Sequence, residues 1–147
     1  MSKKEINTLT GVSYHLIDHK NRLFIPPKYR NNQRKFVMTF GLENCIVVYP
    51  FERWNETIKK IENLSIKNKT YQRAFLRLFF AEAEIVKLDN QGRILIPQKF
   101  KEKLCLENEV VLIGNKDKLE IWSKKEWMKY YSSFSKIINK IKAQIDI

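Results

Sequence analysis

The stretch DHKNRLFIP, Asp18 to Pro26, recurs as DNQGRILIP, Asp89 to Pro97, and how this pair is read decides the fold. Asp18, Arg22, Ile25, Pro26 and Lys28 return 71 positions later as Asp89, Arg93, Ile96, Pro97 and Lys99, and Tyr29 is answered by Phe100. The residue before each arginine is Asn21 or Gly92, the two types that enter the left-handed region at least cost, while an aspartate opening a turn can accept backbone N–H groups ahead of it. D-x-x-[N/G]-R is therefore a turn in which Asp18, Asn21, Asp89 and Gly92 shape the reversal. An arginine leaves each turn. A turn explains the Asp and the Asn or Gly; it does not explain the Arg, because an exposed turn accepts many polar residues there.

Working outward, FVMTFG from Phe36 aligns with EVVLIG from Glu109 at an offset of 73, as do CIVVYP from Cys45 with KLEIWS from Lys118 and Trp54 with Trp127. The change of offset places a longer segment after Pro97 than after Pro26, in a loop, where length changes are tolerated. The chain is thus a duplication of a unit of about 45 residues. Two copies do not make a solenoid, and the economical packing is a pseudo-twofold pair completing one core. VSYHLI and AEIVKL lead into the turns and RLFI and RILI leave them as strands. Pro26 and Pro97 end those strands, so PPKYRN and PQKFKEKL are expected to be short helices. FVMTF and CIVVY around GLEN, and EVVLI and LEIW around GNKDK, read as hairpins. Between the units, Tyr71, Phe75, Leu78 and Phe79 fall at helical spacing with Arg73 and Arg77 four apart, which predicts an amphipathic helix packed across the duplicated core. The expected organisation is repeat 1 over 12–54, a helical connector over 55–82, repeat 2 over 83–127 and a basic tail over 128–147.

A chain of 147 residues can bury roughly 70% of its unfolded surface and fold without staples. Cys45 and Cys105 lie in apolar runs without metal or redox spacing, which points to buried, inert thiols in a reduced cytoplasmic setting. No apolar run of about 18 residues and no apolar segment behind the N-terminal lysines occurs, so neither a membrane span nor a signal peptide is expected. The formal net charge is +12, which suits a polyanion. Of the 28 basic residues 21 are Lys, alongside abundant Ile and Asn, a bias that A- and T-rich codons produce on their own, so position tells more than the total. Two of the seven arginines occupy the repeated slot.

The doubled D-x-x-x-R turn followed by a strand and Pro, RAFLRLFF between the copies, and the Trp-bearing segments after GLENCIVVYP and LEIWSKKEW together resemble the MraZ family of bacterial proteins, over roughly residues 11 to 131. Asn21 stands where that family usually has Gly. The resemblance implies an α+β fold of two swapped-hairpin repeats, like those of the AbrB and SpoVT regulators, forming one pseudo-twofold small β-barrel with flanking helices. It also implies a cytoplasmic, nucleoid-associated transcriptional regulator that assembles into a ring, an octamer by family resemblance. Its partner would be double-stranded promoter DNA carrying short repeated boxes upstream of the division and cell-wall gene cluster, its own promoter included.

A guanidinium fork can bond O6 and N7 of guanine, so Arg22 and Arg93 are the candidate base readers. His15, Lys20, Asn21, Lys28 and Arg30 in the first copy, and Lys87, Gln91, Lys99 and Lys101 in the second, are candidates for phosphate or groove contacts. The first copy is the more basic, so Arg22 is expected to contribute more than Arg93. His15, Asp18 and His19 invite a metal or hydrolase reading, but Val86 and Asn90 stand at the histidine positions of the second copy, and no recognisable catalytic motif occurs. An enzyme, a metal site and a cofactor are accordingly not expected. The rival is an RNA- or ribosome-associated basic protein, against which stands the lack of an RNP1-like strand or GXXG loop. The segment FSKIINKIKAQI reads as a basic amphipathic helix that packs on its own or a neighbouring subunit, with a membrane or protein partner as the alternative.

Overall fold

The computed structural model describes residues 8–147. In chain order it contains β1 (Val12–Leu16), β2 (Arg22–Phe24), a 3-10 turn (Pro27–Tyr29), β3 (Lys35–Phe40), β4 (Cys45–Pro50), α1 (Phe51–Glu62), α2 (Lys69–Glu82), β5 (Glu84–Lys87) and β6 (Arg93–Leu95). There follow α3 (Gln98–Lys103), β7 (Glu109–Asn115), β8 (Lys118–Ser123), α4 (Lys124–Ser132), α5 (Phe134–Ile141) and a last 3-10 turn (Lys142–Gln144). Pro26 and Pro97 precede their helical turns with φ of −54° and −58°, the value proline presets, so each strand stops where the sequence demands.

Six antiparallel strands form one sheet in the order β1-β7-β8-β4-β3-β5, and β2 pairs with β6 as a separate two-stranded ribbon. The two halves exchange strands: β1 of the first pairs with β7 of the second, and β5 of the second with β3 of the first. Val47 faces its own counterpart Glu120 across β4 and β8, and Leu23 faces its counterpart Ile94 across the ribbon, so the pseudo-twofold axis runs between these pairs. The fold is α+β, as expected. The sheet itself stays open, because among the described residues no ladder joins its end strands β1 and β5.

Period-two alternation places Ile46, Val48, Leu119 and Ile121 on one face of the sheet, where they join Leu23, Ile25, Ile94 and Ile96 around the ribbon in the main core. Tyr29 and Phe100, counterparts from the two post-strand turns, are buried there at 1% and 0% exposure. Cys45, Val47, Tyr49 and Trp122 point to the opposite face and pack under helices with Trp54, Phe79 and Trp127. The central strands are thus covered on both sides, and their sequences are accordingly apolar almost throughout.

Three expectations need correction. Phe36 pairs with Val86 and Val110 with His15; since His15 and Val86 are counterparts, Phe36 corresponds to Val110, 74 positions on, rather than to Glu109. The β3–β4 loop is longer than its counterpart between β7 and β8, and this compensates for the longer segment after Pro97, leaving the intervening strand one residue out of the sequence alignment. The second correction concerns α2, which forms as predicted but lies on the outer face of the sheet. Phe75 and Phe79 turn inward, while Tyr71 and Leu78 are 69% and 64% exposed. Finally, Cys45 is buried but Cys105 is exposed, at a left-handed φ of 50° just after α3.

Candidate nucleic-acid interface

Each turn is organised by its aspartate. Asp18 Oδ1 accepts the backbone N–H groups of Lys20 at 2.9 Å and Arg22 at 2.8 Å, and Oδ2 accepts Arg22 Nε at 2.7 Å. Asp89 repeats the pattern with Gln91 at 2.9 Å, the Arg93 backbone at 2.9 Å and Arg93 Nε at 2.8 Å. Asn21 and Gly92 sit at φ of 61° and 76°, in the left-handed region the sequence called for. Burial pushes the Asp18 carboxyl upward, but the backbone and side-chain hydrogen bonds from Arg22, the Lys20 N–H and the Arg22 charge outweigh it and bring it down to about 2. At Asp89 the Arg93 backbone hydrogen bond leads and burial opposes it; with the Arg93 side chain and Gln91 N–H, the balance lowers that carboxyl too.

The arginines are therefore braced as well as presented. Their side chains keep 28% and 26% of their surface exposed, and among the described residues the terminal nitrogens of Arg22 have no hydrogen-bond partner. Arg93 Nη1 lies 3.9 Å from Asp18 Oδ2, so the two turns abut and Arg93 is shared between two carboxylates. On the ribbon, Leu23 and Ile94 point into the core while Phe24 and Leu95 are 41% and 59% exposed, next to the arginines. Arg22 stands opposite Leu95 and Phe24 opposite Arg93, giving an outer face of two guanidinium groups and two apolar side chains.

The flanking cations divide into those that are free and those the fold uses. Each turn is served by the post-strand segment of the other copy. Lys101 Nζ donates to Asn21 Oδ1 at 2.6 Å, and the Asn21 amide donates to Gln98 at 3.3 Å. Arg30 Nε donates to the Ile25 carbonyl at 2.7 Å and its guanidinium lies over the Phe24 ring at 5.3 Å. A Cβ on Gly92 would overlap the Arg30 guanidinium, so a side chain there would have to displace Arg30 as well as accept the left-handed φ of 76°. Lys99 is neutralised by Glu82 at 3.4 Å and Glu84 at 3.2 Å. Lys20, Lys28, Lys87 and Gln91 are exposed, with Lys28 Nζ over the Tyr29 ring at 4.8 Å. His15 Nε2 meets Ser13 Oγ at 2.8 Å, and burial followed by the Lys28 charge lowers its pKa, which keeps the ring neutral at physiological pH. His19 is exposed at the start of the first turn.

Arg34 was not singled out by its sequence. Its Nη2 donates to the Leu88 and Asp89 carbonyls at 3.3 and 3.1 Å, which ties the segment where the repeats differ in length to the second turn. A scarce arginine in a loop that differs between copies was the available signal.

Two strand-exchanging repeats around a ribbon that displays a clamped arginine from each turn define a duplicated swapped-hairpin protein. A family model described as "MraZ protein, putative antitoxin-like" matches the chain twice, over residues 9–78 and 79–146. The chain is 43% identical to the Transcriptional regulator MraZ of Clostridium beijerinckii over 124 residues, 84% of this chain and 87% of that protein. It is 40% identical to the protein of the same name from Caldanaerobacter subterraneus subsp. tengcongensis over 139 residues, 94% of this chain and 96% of that one. The chain belongs to the MraZ family. The second match reaches residue 146 and so takes in the tail, which the sequence resemblance left outside.

Proposed function

We propose that the chain is a sequence-specific DNA-binding transcriptional regulator whose ribbon and paired turns enter the major groove. The boxes it reads would be short, repeated, and placed upstream of the division and cell-wall gene cluster and of its own gene. The observation that carries this reading is the clamp on each arginine: Nε is held by the aspartate, at 2.7 and 2.8 Å, which orients the guanidinium before any ligand arrives. A major groove admits a two-stranded β-ribbon, a planar fork can bond guanine O6 and N7, and apolar side chains such as Phe24 and Leu95 suit the thymine methyl. Lys20 and Lys28 flank the first turn as phosphate contacts, and Lys87 and Gln91 serve the second.

A ring-shaped homo-oligomer repeats the turns at regular spacing, so weak single engagements on tandem boxes combine through effective concentration. Activity of this kind needs no catalytic group and belongs in the cytoplasm, on the nucleoid. Fluorescence anisotropy tests the reading with a duplex taken from just upstream of the gene, titrated at moderate salt with excess unrelated RNA. Retention of the duplex is expected. Equal competition by RNA would instead favour the RNA- or ribosome-associated reading, for which the net charge alone speaks.

A further inference from the structure

The tips of the two turns are chemically unlike. At the first stands Asn21, at φ 61°, one residue before Arg22; at the second stands Gly92, at φ 76°. Glycine meets the left-handed backbone at no steric cost, so the reversal of the chain gives no account of a carboxamide at the first tip. Nor is that amide a loose polar group. The segment after Pro97 reaches across from the other copy and holds both of its ends: Lys101 Nζ donates to Asn21 Oδ1 at 2.6 Å, and Asn21 Nδ2 donates to Gln98 Oε1 at 3.3 Å. At the equivalent places of the first copy, 71 positions earlier, stand Arg30 and Pro27, and Gly92 offers them no side chain to hold.

An ammonium group donates and cannot accept, so Lys101 fixes which end of the Asn21 amide is oxygen and keeps it from turning over. The backbone beneath is held as firmly, since the Asn21 N–H donates to the Asp18 carbonyl at 3.0 Å and the Ile96 N–H to the Asn21 carbonyl at 2.7 Å. A carboxamide has two N–H groups and two lone-pair sites. Among the described residues the side chain uses one of each, which leaves one donor and one acceptor on a half-buried amide at the tip of the turn. In the major groove adenine presents an acceptor, N7, beside a donor, its N6 amino group, and pairs with an amide; guanine presents two acceptors and suits the arginine fork.

We propose that Asn21 is a second specificity-determining residue of the first turn, reading an adenine beside the guanine taken by Arg22, with Lys101 and Gln98 as its positioning residues. This inference rests on the DNA-binding reading given above. It makes the two turns of one subunit read different base steps although the repeat gives them the same frame, because the first offers an amide with its arginine and the second an arginine beside a glycine.

The test compares the full-length wild type with Asn21→Gly and Lys101→Met, after far-UV circular dichroism has confirmed that all three fold. Anisotropy is measured on the duplex from just upstream of the gene, with each base pair replaced in turn by the others. Ratios between duplexes are read rather than bare affinities, since both substitutions also change the charge available at the tip. The wild type is expected to prefer guanine at one position and adenine at its neighbour, a wrong base at either costing about 5- to 150-fold. In Asn21→Gly the adenine preference disappears and the guanine preference stays; in Lys101→Met the adenine preference falls, because only the amide has lost its guide. Replacing that adenine by 7-deazaadenine, which lacks the N7 acceptor, costs the wild type about 2- to 12-fold, the worth of one hydrogen bond, and costs Asn21→Gly nothing. If Asn21→Gly keeps every preference of the wild type, the amide only shapes the turn; if it loses guanine and adenine preference together, it acts through Arg22. Either result overturns the proposal while the DNA-binding reading stands. A wild type that shows no preference among the duplexes overturns that reading and this inference with it.

Discussion

At Arg22 one atom, Nε, is given to structure and the rest of the guanidinium to the surface, and Arg93 repeats the Nε clamp. Arg93 is further held by Asp18 through Nη1, while Arg22 has no such second carboxylate. Arg22→Ala is therefore expected to weaken binding to a guanine-containing box by about 1 to 3 kcal/mol, roughly 5- to 150-fold, and Arg93→Ala by less. An anisotropy titration giving the opposite order overturns the assignment. Asp18 yields a pH prediction. Its carboxyl sits at about 2 in the folded chain, against about 3.9 unfolded. A depressed folded value means the stabilisation is complete above about pH 4 and is lost as pH falls towards 2. The urea midpoint should drop across that window, and Asp18→Asn should flatten the drop; an unchanged slope in the variant refutes this origin. At Gly92, an added Cβ meets left-handed strain of about 1 to 2 kcal/mol and must also displace Arg30. Gly92→Ala should thus lower the melting temperature clearly more than Asn21→Gly, which gives up only the hydrogen bonds to Lys101 and Gln98.

Elements were legible where their causes are local. Pro26 and Pro97 stop strands through their own φ, and the Asp-to-Arg spacing sets each turn through bonds that span four residues. Register was not legible, because β3 and β7 are aligned by distant partners, β5 and β1, and a one-residue shift in the hairpin loops is invisible to an alignment of similar apolar runs. The exposure of Leu78 and Cys105 depends likewise on which neighbours arrive, and no periodicity reports that. At the site, the two arginines and their aspartates could be read, whereas the crosswise service of each turn by Arg30 and Lys101 could not, since it follows from strand exchange. Ser123 is a local feature the repeat did not reveal: its Oγ accepts the Glu126 N–H at 3.0 Å and caps α4. Ser-Lys-Lys-Glu has the spacing of a capping box. Ser123→Ala should therefore cost about 1 kcal/mol in a urea titration, and a loss near zero would show that packing beneath Trp122 and Trp127 holds α4 without the cap.

The molecule as a whole carries a net charge of +12, yet the fold spends several cations internally. Lys99 is bound by Glu82 and Glu84, Lys101 by Asn21, and Arg34 and Arg30 by backbone carbonyls. What remains near the turns is an uneven field: Lys20 and Lys28 by the first, Lys87 by the second. Duplication produced matching frames, and salt bridges then made the halves electrostatically unequal. Lys28 is open to solvent while its counterpart Lys99 is neutralised, although the sequence places them identically. Counterion release turns this difference into a measurement. Each phosphate neutralised contributes about 0.9 to the slope of log K against log salt. Lys20→Ala or Lys28→Ala should reduce that slope by about this amount at any DNA sequence. Lys99→Ala should leave the slope unchanged and lower stability instead, because the charge it removes is already compensated. If all three substitutions flatten the slope equally, DNA must draw Lys99 away from its glutamates, and the two halves would engage the duplex as equals.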